Sequence, residues 1–271
     1  RAAEVVLKEF SVTATENLVL FAGLHPFPLR IKIADQDYQV QELMEALVSM
    51  GCSAKFSDPH TIEVHGRKDL KPLRHKLLYD PIEAGTFLLL AIGTKGHIAI
   101  QNVELKFLDL LFKTLKDSGA RFEIRKRNNL GEITVLPFKK LVIEKIQSFI
   151  YPGISSDLQS AFGVLATQAE GSTLLHDPLY EGRLKYLEEL NKMGADIYFS
   201  DPHRALINGP TKLKGAELGT ADIRGGAALV MASLMAHGRS TLSNIYQIDR
   251  GYEKIEERLQ GIGADIKRVS S

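Results

Sequence analysis

Four stretches of the chain share one pattern of apolar and polar positions. Each has apolar residues at helical spacing, then a glycine, a small residue and a strand-like run. The four stretches are Glu42–Phe56, Leu108–Ile124, Tyr186–Phe199 and Tyr252–Val269. The pattern recurs about every 70 residues, which indicates an internally repeated chain. Each helix is predicted to end at a left-handed glycine, namely Gly51, Gly119, Gly194 and Gly263.

A second helix and two further strands complete the predicted repeat. Helix-like runs end at Gly96, Gly171 and Gly238 and lead into short β-type segments at His97–Ile100, Ser172–Leu175 and Ser240–Ile245. In the first repeat the helix is Glu16–Leu24 and the strand is Leu29–Ile33. Another strand closes the first three repeats, at Thr61–Val64, Glu132–Val135 and Ala205–Ile207. The repeat is therefore predicted as helix, strand, helix, strand, strand, in an α/β fold whose copies cover one another's apolar faces.

Two of the predicted helices are apolar on nearly every side. Glu16–Leu24 and Gly226–Ala236 have this composition, which predicts that both are buried in the middle of a domain. A domain boundary is predicted near residues 67–80, where the chain is polar and contains Pro72. Asn128–Gly131 is predicted to form a hairpin turn.

The composition excludes several classes of function. The 34 basic and 33 acidic residues leave a net charge of +1, which gives no general attraction to nucleic acid or to an anionic membrane. No apolar run approaches the ~20 residues that span a bilayer. The single cysteine, Cys52, rules out an internal disulfide, and the histidines lack metal-ligand spacing. The chain has neither a dinucleotide fingerprint nor a P-loop, so no cofactor is expected.

Candidate chemistry lies at the junctions between predicted elements. The loop Tyr151–Asp157 leads into a helix, so Ser156 or Asp157 is either a simple N-cap or, for Asp157, a carboxylate aimed into a cleft. Arg183 and Arg250 each precede a predicted helix, where a cation opposes the helix dipole. Such an arginine either binds an anion or, for Arg250, pairs with Asp249 or Glu253. The residues alone thus predict a cleft lined by arginine and aspartate for a phosphorylated ligand.

Several blocks resemble one known family, in the order in which that family has them. Asp222–Val230 and Ile248–Glu253 are similar to the C-terminal signature of the UDP-N-acetylglucosamine enolpyruvyl transferases (1-carboxyvinyltransferases), within the EPSP synthase/enolpyruvyl transferase superfamily. Further matching blocks are Ser11–Leu18, Asp80–Phe87, Tyr151–Gln159, and Glu181 with Arg183. The resemblance covers essentially the whole chain.

The resemblance implies an α/β fold of the inside-out barrel type, built from βαβαββ units. The family has six such units in two domains, and this chain has four of the six. Residues 1–76 would be the last unit of the middle domain, and residues 77–271 would be three units of the C-terminal domain. The family's mobile loop and its N-terminal lysine have no counterpart here. Because the chain begins at Arg1 without an initiator Met, we expect a fragment or a processed form.

The resemblance also implies an activity and a set of site residues. The family transfers the enolpyruvyl group from phosphoenolpyruvate to the 3′-hydroxyl of UDP-N-acetylglucosamine in the bacterial cytoplasm, at the start of peptidoglycan synthesis. Asp157 would be the general base, and Arg250 would bind the phosphoenolpyruvate anion. The other substrate-binding residues implied by the family are Ser11, Val12, Leu179, Arg183, Asp222 and Arg224. We expect a missing N-terminal segment or a partner chain to complete the cleft.

Several positions depart from the family pattern, and they leave other hypotheses open. The departures are Glu9, Thr13, Pro81, Gly182 and Gln247, of which Pro81 and Gln247 remove a cationic or proton-handling group. One alternative is a divergent homologue without catalysis, such as a nucleotide-sugar binding module. Another is a related transferase that acts on shikimate phosphate, although its C-terminal motifs differ from Ile248–Glu253.

Overall fold

The computed structural model describes residues 3–269, which divide into two compact units. The first unit comprises the residues up to Tyr79 together with Ile150–Pro152, and the second comprises Asp80–Phe149 and the residues from Gly153 onward. The division therefore falls at the end of the polar stretch 67–80. The assignment of 1–76 and 77–271 to particular domains of a longer protein stays a prediction.

The first repeat makes up most of the first unit. Its elements are β1 (Ala3–Val6), α1 (Val12–Gly23), β2 (Leu29–Lys32), α2 (Tyr38–Ser49), β3 (Ser53–Asp58) and β4 (Thr61–His65). The sheet has the order β1-β2-β4-β3, with β1 parallel to β2 and the other pairs antiparallel. Its core includes Val19, Ile31, Val40 and Ile62, all fully buried between the two helices and the sheet.

The second repeat opens the second unit. Its elements are α3 (Pro81–Gly93), β5 (Ala99–Val103), a 3₁₀ turn (Leu105–Phe107), α4 (Asp109–Asp117), β6 (Arg121–Arg127) and β7 (Leu130–Leu136). The three strands are antiparallel in the order β5-β7-β6. Arg127 pairs with Leu130 across Asn128 and Asn129, which confirms the predicted hairpin turn.

The third repeat has all six elements. These are β8 (Lys145–Gln147), α5 (Ser156–Ala166), β9 (Gly171–His176), α6 (Tyr186–Lys192), β10 (Asp196–Asp201) and β11 (Arg204–Gly209). The sheet order β8-β9-β11-β10 repeats that of the first repeat, including the parallel first pair. The third repeat is thus a complete structural copy of the first.

The fourth repeat lacks the closing strands within the described residues. Its elements are β12 (Glu217–Gly219), α7 (Ile223–Met235), β13 (Thr241–Ser243), α8 (Tyr246–Asp249) and α9 (Ile255–Gln260), with β12 parallel to β13. The strand predicted after Gly263 is wrong, because residues 264–269 form no strand. The predicted helix directly after Arg250 is also wrong, because the short helix α8 ends at Asp249 and α9 begins only at Ile255.

The repeat begins with a strand that the apolar pattern did not reveal. The strands β1, β8 and β12 each pair in parallel with the strand that follows the first helix. They are three or four residues long, too short for a period-two alternation to stand out. The first and third repeats are therefore βαβαββ, as the family resemblance implies.

The repeated glycines have the predicted conformation. Gly51, Gly119, Gly194 and Gly263 have φ angles of 100°, 95°, 88° and 98°. A side chain rarely adopts this left-handed region, so a glycine at each site ends the helix without steric cost. The spacing of these four residues correctly located the helix ends.

Burial differs between the first helices of the repeats. In the second unit, α3, α5 and α7 pack against one another, and α7 is buried from Gly225 to Ala232, as predicted. The same prediction is wrong for α1, of which only Thr15, Val19, Ala22 and Gly23 are buried. The exposed apolar residues at this helix include Leu20, Phe21 and Leu24, which are 47%, 56% and 62% exposed. Among residues 3–269, no helix is long and apolar enough to cross a bilayer.

Candidate functional site

Asp157 lies between two arginines in the second unit. Its Oδ2 is 3.1 Å from Nε of Arg224, and its Oδ1 is 3.4 Å from Nη2 of Arg183. The Arg224 side chain is only 15% exposed, whereas those of Asp157 and Arg183 are 31% and 30% exposed. The structure thus brings together three of the predicted site residues, on α5, on α7 and in the loop after β9.

The start of α5 explains why the Asp157 carboxylate is free for these contacts. Ser155 is the N-cap, and its Oγ accepts a hydrogen bond from the backbone N–H of Asp157 at 3.2 Å. The prediction that Ser156 or Asp157 caps this helix is therefore wrong. Because Ser155 satisfies the exposed helix donor, the Asp157 carboxylate can reach the arginines.

Arg224 is fixed by the start of α7. Asp222 is the N-cap of this helix, and its Oδ1 accepts hydrogen bonds from the backbone N–H groups of Arg224 and Gly225 at 2.9 and 2.8 Å. One oxygen of Asp222 therefore has a structural role. The cap also sets the position of the Arg224 backbone, from which the side chain extends toward Asp157.

A chain of polar contacts extends from Arg224 into the interior. Its Nη1 donates to the hydroxyl of Tyr252 at 3.3 Å, and that hydroxyl is 2.9 Å from Oγ1 of Thr86. Tyr252 is 1% exposed. Since a buried hydroxyl needs a partner, these two contacts hold Tyr252 and Arg224 in one geometry. The chain Thr86–Tyr252–Arg224–Asp157–Arg183 connects α3, the segment after α8, α7, α5 and the loop after β9.

Burial and neighbouring groups act in opposite directions on Arg224. Desolvation disfavours its charge, but Tyr252 and Asp157 outweigh that effect, and the net pKa of the guanidinium is raised. Burial also raises the pKa of Tyr252, against the opposing effect of Arg224. Arg224 is thus a fixed cation whose hydrogen-bond partners are set by the fold.

The loop that carries Leu179 and Arg183 is held by a buried aspartate. Asp177 is fully buried, and its Oδ1 accepts from the backbone N–H of Leu179 at 3.1 Å. Its Oδ2 accepts from Oγ of Ser156 at 2.5 Å. Asp177 therefore connects this loop to the first turn of α5, one residue before Asp157.

The side chains on this loop point in part to solvent. Leu179 is 36% exposed. The Arg183 guanidinium lies 4.9 Å from the centre of the Tyr180 ring, a cation–π contact that restricts its position. Arg183 therefore has two partners, an aromatic face and the Asp157 carboxylate.

Arg250 lies at the end of α8 and not at the start of a helix. It is the C-cap of α8, where the helix dipole stabilises a cation. The predicted conflict between Arg250 and a helix dipole is therefore absent. Its Nη1 donates to Oε1 of Gln247 at 3.0 Å. The alternative pairing with Asp249 is not formed, because Asp249 binds Arg268. The exposed Arg250 guanidinium has no ion pair with any residue of the described range 3–269.

Ser11 and Val12 belong to the first unit. Ser11 is the N-cap of α1, and its Oγ accepts from the backbone N–H of Ala14 at 3.3 Å. Val12 is the first residue of that helix. The start of a helix presents backbone N–H groups, which suits an anionic ligand.

Metal ligands are not found in the part of the chain that the structure describes. Residues 3–269 contain no group of three or more His, Cys, Asp or Glu side chains that could hold a metal ion. Cys52 is a buried small residue, 7% exposed, and its Sγ contacts the carbonyl oxygen of Gly23 at 3.4 Å. The cysteine therefore belongs to the core of the first unit.

Sequence reasoning missed three residues that shape the site. Asp177, Tyr252 and Thr86 are buried polar residues, each bonded to another part of the site. Tyr252 and Thr86 lie inside the matching blocks, but neither was singled out. Asp177 directly follows β9, and its position at a strand end was the available signal.

Comparisons with curated proteins give a consistent family. UDP-N-acetylglucosamine 1-carboxyvinyltransferase of Halothermothrix orenii is 38% identical over 269 residues, which cover 99% of this chain and 63% of the relative. The protein of the same name from Bacteroides thetaiotaomicron is 37% identical over 279 residues, covering 98% of this chain and 63% of the relative. The chain therefore spans about 63% of the length of these relatives.

Solved structures support the fold class. The enolpyruvyl transferase NikO from Streptomyces tendae has a TM-score of 0.86 at 24% identity, over 94% of this chain and 60% of that chain. EPSP synthase from Acinetobacter baumannii has a TM-score of 0.80 at 17% identity, over 100% of this chain and 64% of that chain. At these identities the likeness shows the fold, and it confirms the enolpyruvyl transferase architecture expected from the resemblance.

The family model described as EPSP synthase (3-phosphoshikimate 1-carboxyvinyltransferase) matches residues 1–259, which is nearly the whole chain. The match includes Asp157, Arg183, Arg224 and Tyr252, which belong to the chain of polar contacts described above. Sequence match, repeat architecture and structural likeness agree. The chain belongs to the EPSP synthase (3-phosphoshikimate 1-carboxyvinyltransferase) family.

Proposed function

We propose that this chain is the C-terminal part of an enzyme that transfers the enolpyruvyl group of phosphoenolpyruvate to the 3′-hydroxyl of UDP-N-acetylglucosamine. The observation that carries the proposal is the position of Asp157, with one oxygen 3.1 Å from Arg224 and the other 3.4 Å from Arg183. The names of the relatives support the acceptor. No cofactor is required, since acid–base and electrostatic catalysis suffice for this transfer.

Asp157 would act as the general base on the acceptor hydroxyl. In its present geometry the carboxylate faces two guanidinium groups. An anionic substrate would compete with Asp157 for Arg224 and Arg183, since both arginines form charge-assisted hydrogen bonds with phosphate. Substrate binding would thereby free the Asp157 carboxylate from the two arginines, so that it could act as the base.

Arg250 would bind the phosphate or carboxylate of phosphoenolpyruvate. It is exposed, and its hydrogen bond to the neutral Gln247 leaves its charge uncompensated. A planar guanidinium suits both anionic groups because it donates two parallel hydrogen bonds. Asp222 and Arg224 would line the site beside it.

The family resemblance gives Ser11, Val12 and Leu179 roles in binding the uridine nucleotide. Ser11 and Val12 would contact the diphosphate, partly through the N–H groups at the start of α1. Leu179 would contact the nucleoside, because its partly exposed side chain stands on a loop that Asp177 holds in place.

A further segment or a partner chain would complete the cleft. The exposed Leu20, Phe21 and Leu24 support this proposal, because exposed apolar clusters usually mark a contact surface. In the second unit the corresponding helices cover one another. The whole enzyme would work in the bacterial cytoplasm, in peptidoglycan synthesis.

Binding of a nucleotide sugar without catalysis is the alternative function. Two departures favour it, since Pro81 begins α3 where the family has an arginine, and Gln247 replaces a histidine next to Arg250. Both substitutions remove a charged or proton-handling group near the proposed site. A protein of this kind would retain ligand affinity and would not turn over.

Phosphate release tests the proposal. The full translation product of the gene is incubated with UDP-N-acetylglucosamine and phosphoenolpyruvate, with shikimate 3-phosphate as the competing acceptor. We expect phosphate release with the nucleotide sugar and none with shikimate 3-phosphate. Binding of the nucleotide sugar without phosphate release would favour the alternative, and neither binding nor release would reject both.

A further inference from the structure

Arg268 makes a two-sided bridge near the end of the chain. Its Nη1 and Nη2 donate to Oδ2 and Oδ1 of Asp249 at 2.9 and 2.6 Å. Its Nε and Nη2 donate to Oε1 and Oε2 of Glu256 at 2.6 and 3.0 Å. A single guanidinium thus forms a paired contact with each of two carboxylates, the geometry in which arginine is most selective.

The two carboxylates lie at the two ends of a short segment. Asp249 is the last residue of α8, and Glu256 is in the first turn of α9. The segment between them contains Arg250 and Tyr252. It also includes Lys254, whose φ of 46° is unusual for a residue with a side chain. The bridge therefore fixes both ends of a non-helical stretch that carries one proposed anion-binding arginine and the partner of another.

An ordinary surface ion pair is a weaker explanation of this arrangement. Arg268 and Asp249 are both 39% exposed, and isolated pairs at that exposure contribute little to folding stability. Arg268, however, binds two residues that are separated along the chain, and Glu256 is only 15% exposed. The hydrogen bonds from Arg268 lower the pKa of Asp249 and of Glu256, so both carboxylates are charged near neutral pH.

The bridge also determines the electrostatic setting of Arg250. Asp249 is its chain neighbour and would repel an incoming anion if its charge were uncompensated. Arg268 supplies that compensation, which leaves the positive charge of Arg250 available. The bridge thus favours anion binding at Arg250 in two ways, because it holds the Arg250 segment in place and compensates the charge of Asp249.

We propose that Arg268 is a positioning residue for anion binding: it joins Asp249 to Glu256 and so holds the intervening segment, with Arg250 and Tyr252, in its binding geometry. The anion is of the phosphate or carboxylate class. The inference rests on the proposed role of Arg250. The effect of Arg268 on the order of the segment between Asp249 and Glu256 does not depend on that role.

The test compares Arg268→Gln, Arg268→Lys and the control Lys267→Gln. Lys267 is the exposed neighbour of Arg268 and forms no side-chain hydrogen bond or ion pair within residues 3–269, so its variant changes the net charge equally without breaking the bridge. Two quantities are measured: the affinity for inorganic phosphate and for phosphoenolpyruvate by calorimetry, and the backbone order of Gly251 and Tyr252 by ¹⁵N relaxation. Glu256→Gln, which removes one side of the bridge, serves if Arg268→Gln does not fold.

We expect Arg268→Gln to lower phosphate affinity about two- to fivefold, the change that corresponds to an exposed ion pair, and to increase the mobility of Gly251 and Tyr252. Arg268→Lys should resemble Arg268→Gln more than the wild type, because an ammonium group cannot hold two carboxylates in paired contacts. Lys267→Gln should match the wild type in both measurements.

Unchanged mobility of Gly251 and Tyr252 in Arg268→Gln would overturn the inference. So would full recovery of affinity and order in Arg268→Lys, because charge alone would then explain the effect. If the wild type binds neither phosphate nor phosphoenolpyruvate, the proposed role of Arg250 fails, and the mobility measurement still decides the role of Arg268.

Discussion

Nε of Arg224 lies 3.1 Å from Oδ2 of Asp157, and Nη1 of the same arginine lies 3.3 Å from the hydroxyl of Tyr252. One guanidinium therefore joins a partly exposed carboxylate to a buried phenol. Asp222 and Ser155, the caps of α7 and α5, fix the two backbones from which these side chains extend. Two helix N-termini thus define the site.

Replacing Arg224 with Lys should weaken anion binding although the charge is kept. A lysine has one ammonium group and cannot reach Asp157 and Tyr252 in the directions that Nε and Nη1 use. Loss of a hydrogen bond to a charged group costs about 1.5–3 kcal/mol, so phosphate affinity should fall roughly tenfold or more.

Arg204→Lys is the matched control for Arg224→Lys. Nε of Arg204 also binds a carboxylate, that of Asp201 at 2.7 Å. The Arg204 side chain, however, is 54% exposed and does not belong to the chain of polar contacts around Arg224. Calorimetry with inorganic phosphate should separate the two variants. Equal phosphate affinity in Arg224→Lys and the wild type would show that the directed contacts are unimportant.

Asp157→Asn should abolish turnover in the full translation product. The amide keeps the shape of the side chain but cannot accept a proton, and loss of a general base typically lowers the rate about 10²–10⁴-fold. Phosphate release is the measurement, and a circular dichroism spectrum with a melting curve shows whether the fold is retained. Retained turnover in a folded Asp157→Asn protein would remove Asp157 from the mechanism.

The repeat could be predicted from the sequence because its helix ends are fixed by local chemistry. A left-handed helix end requires glycine, so Gly51, Gly119, Gly194 and Gly263 are visible at regular spacing without any tertiary information. The leading strands β1, β8 and β12 were missed because they depend on a partner strand from another part of the chain. A sequence of three or four residues does not show which distant strand it will pair with.

The site could be predicted only in part, and the reason is again the range of the interactions. Asp157, Arg183 and Arg224 were candidates because charged residues stood at element junctions. Their mutual contacts depend on how α5 packs against α7, which no sequence spacing shows. The pairing of Arg250 with Asp249, one of the alternatives, is not formed. Asp249 instead binds Arg268, which is 19 positions further along the chain and well beyond the range of helical pairing.

Glu16→Gln should stabilise the first unit at neutral pH. Burial, and secondly the charge of Asp35, raises the pKa of the Glu16 carboxyl above its usual value of 4.5. The folded protein therefore binds this proton more tightly than the unfolded chain does. Ionised Glu16 costs stability once the pH rises above its unfolded pKa, and the full cost is reached above its folded pKa.

Urea denaturation at two pH values tests the role of Glu16. The Glu16→Gln protein should have the higher midpoint at pH 7, and the difference should disappear well below pH 4.5, where both states carry the proton. Glu45→Gln is the control, since Glu45 is an exposed residue of α2 in the same unit. A difference that persists in acid would indicate a cause other than the ionisation of Glu16.

Gly163→Ala should destabilise the second unit because of one hydroxyl group. A Cβ at Gly163 of α5 would lie 1.9 Å from the Tyr186 hydroxyl oxygen and 3.0 Å from the ring carbon that carries it. Tyr186 is 5% exposed, so its ring cannot move aside into solvent. Crowding a packed core in this way typically costs about 1–3 kcal/mol, which chemical denaturation measures directly.

Tyr186→Phe should remove much of that cost and should itself be neutral or stabilising. Among residues 3–269 the Tyr186 hydroxyl has no hydrogen-bond partner, and burial, together with Asp177 and Asp222, raises its pKa well above 10.0. Deleting a buried hydroxyl without a partner removes a desolvation penalty of about 1–3 kcal/mol. The double variant Gly163→Ala/Tyr186→Phe should therefore be more stable than Gly163→Ala alone.

A double-mutant cycle between Gly163 and Tyr186 measures this coupling. Gly261→Ala is the control, because the nearest atom to its Cβ is 3.4 Å away and its φ of −58° suits any residue. Additive changes in the free energy of unfolding would contradict the steric explanation. A coupling of about 1 kcal/mol or more would show that Gly163 is required because Tyr186 places its hydroxyl against α5.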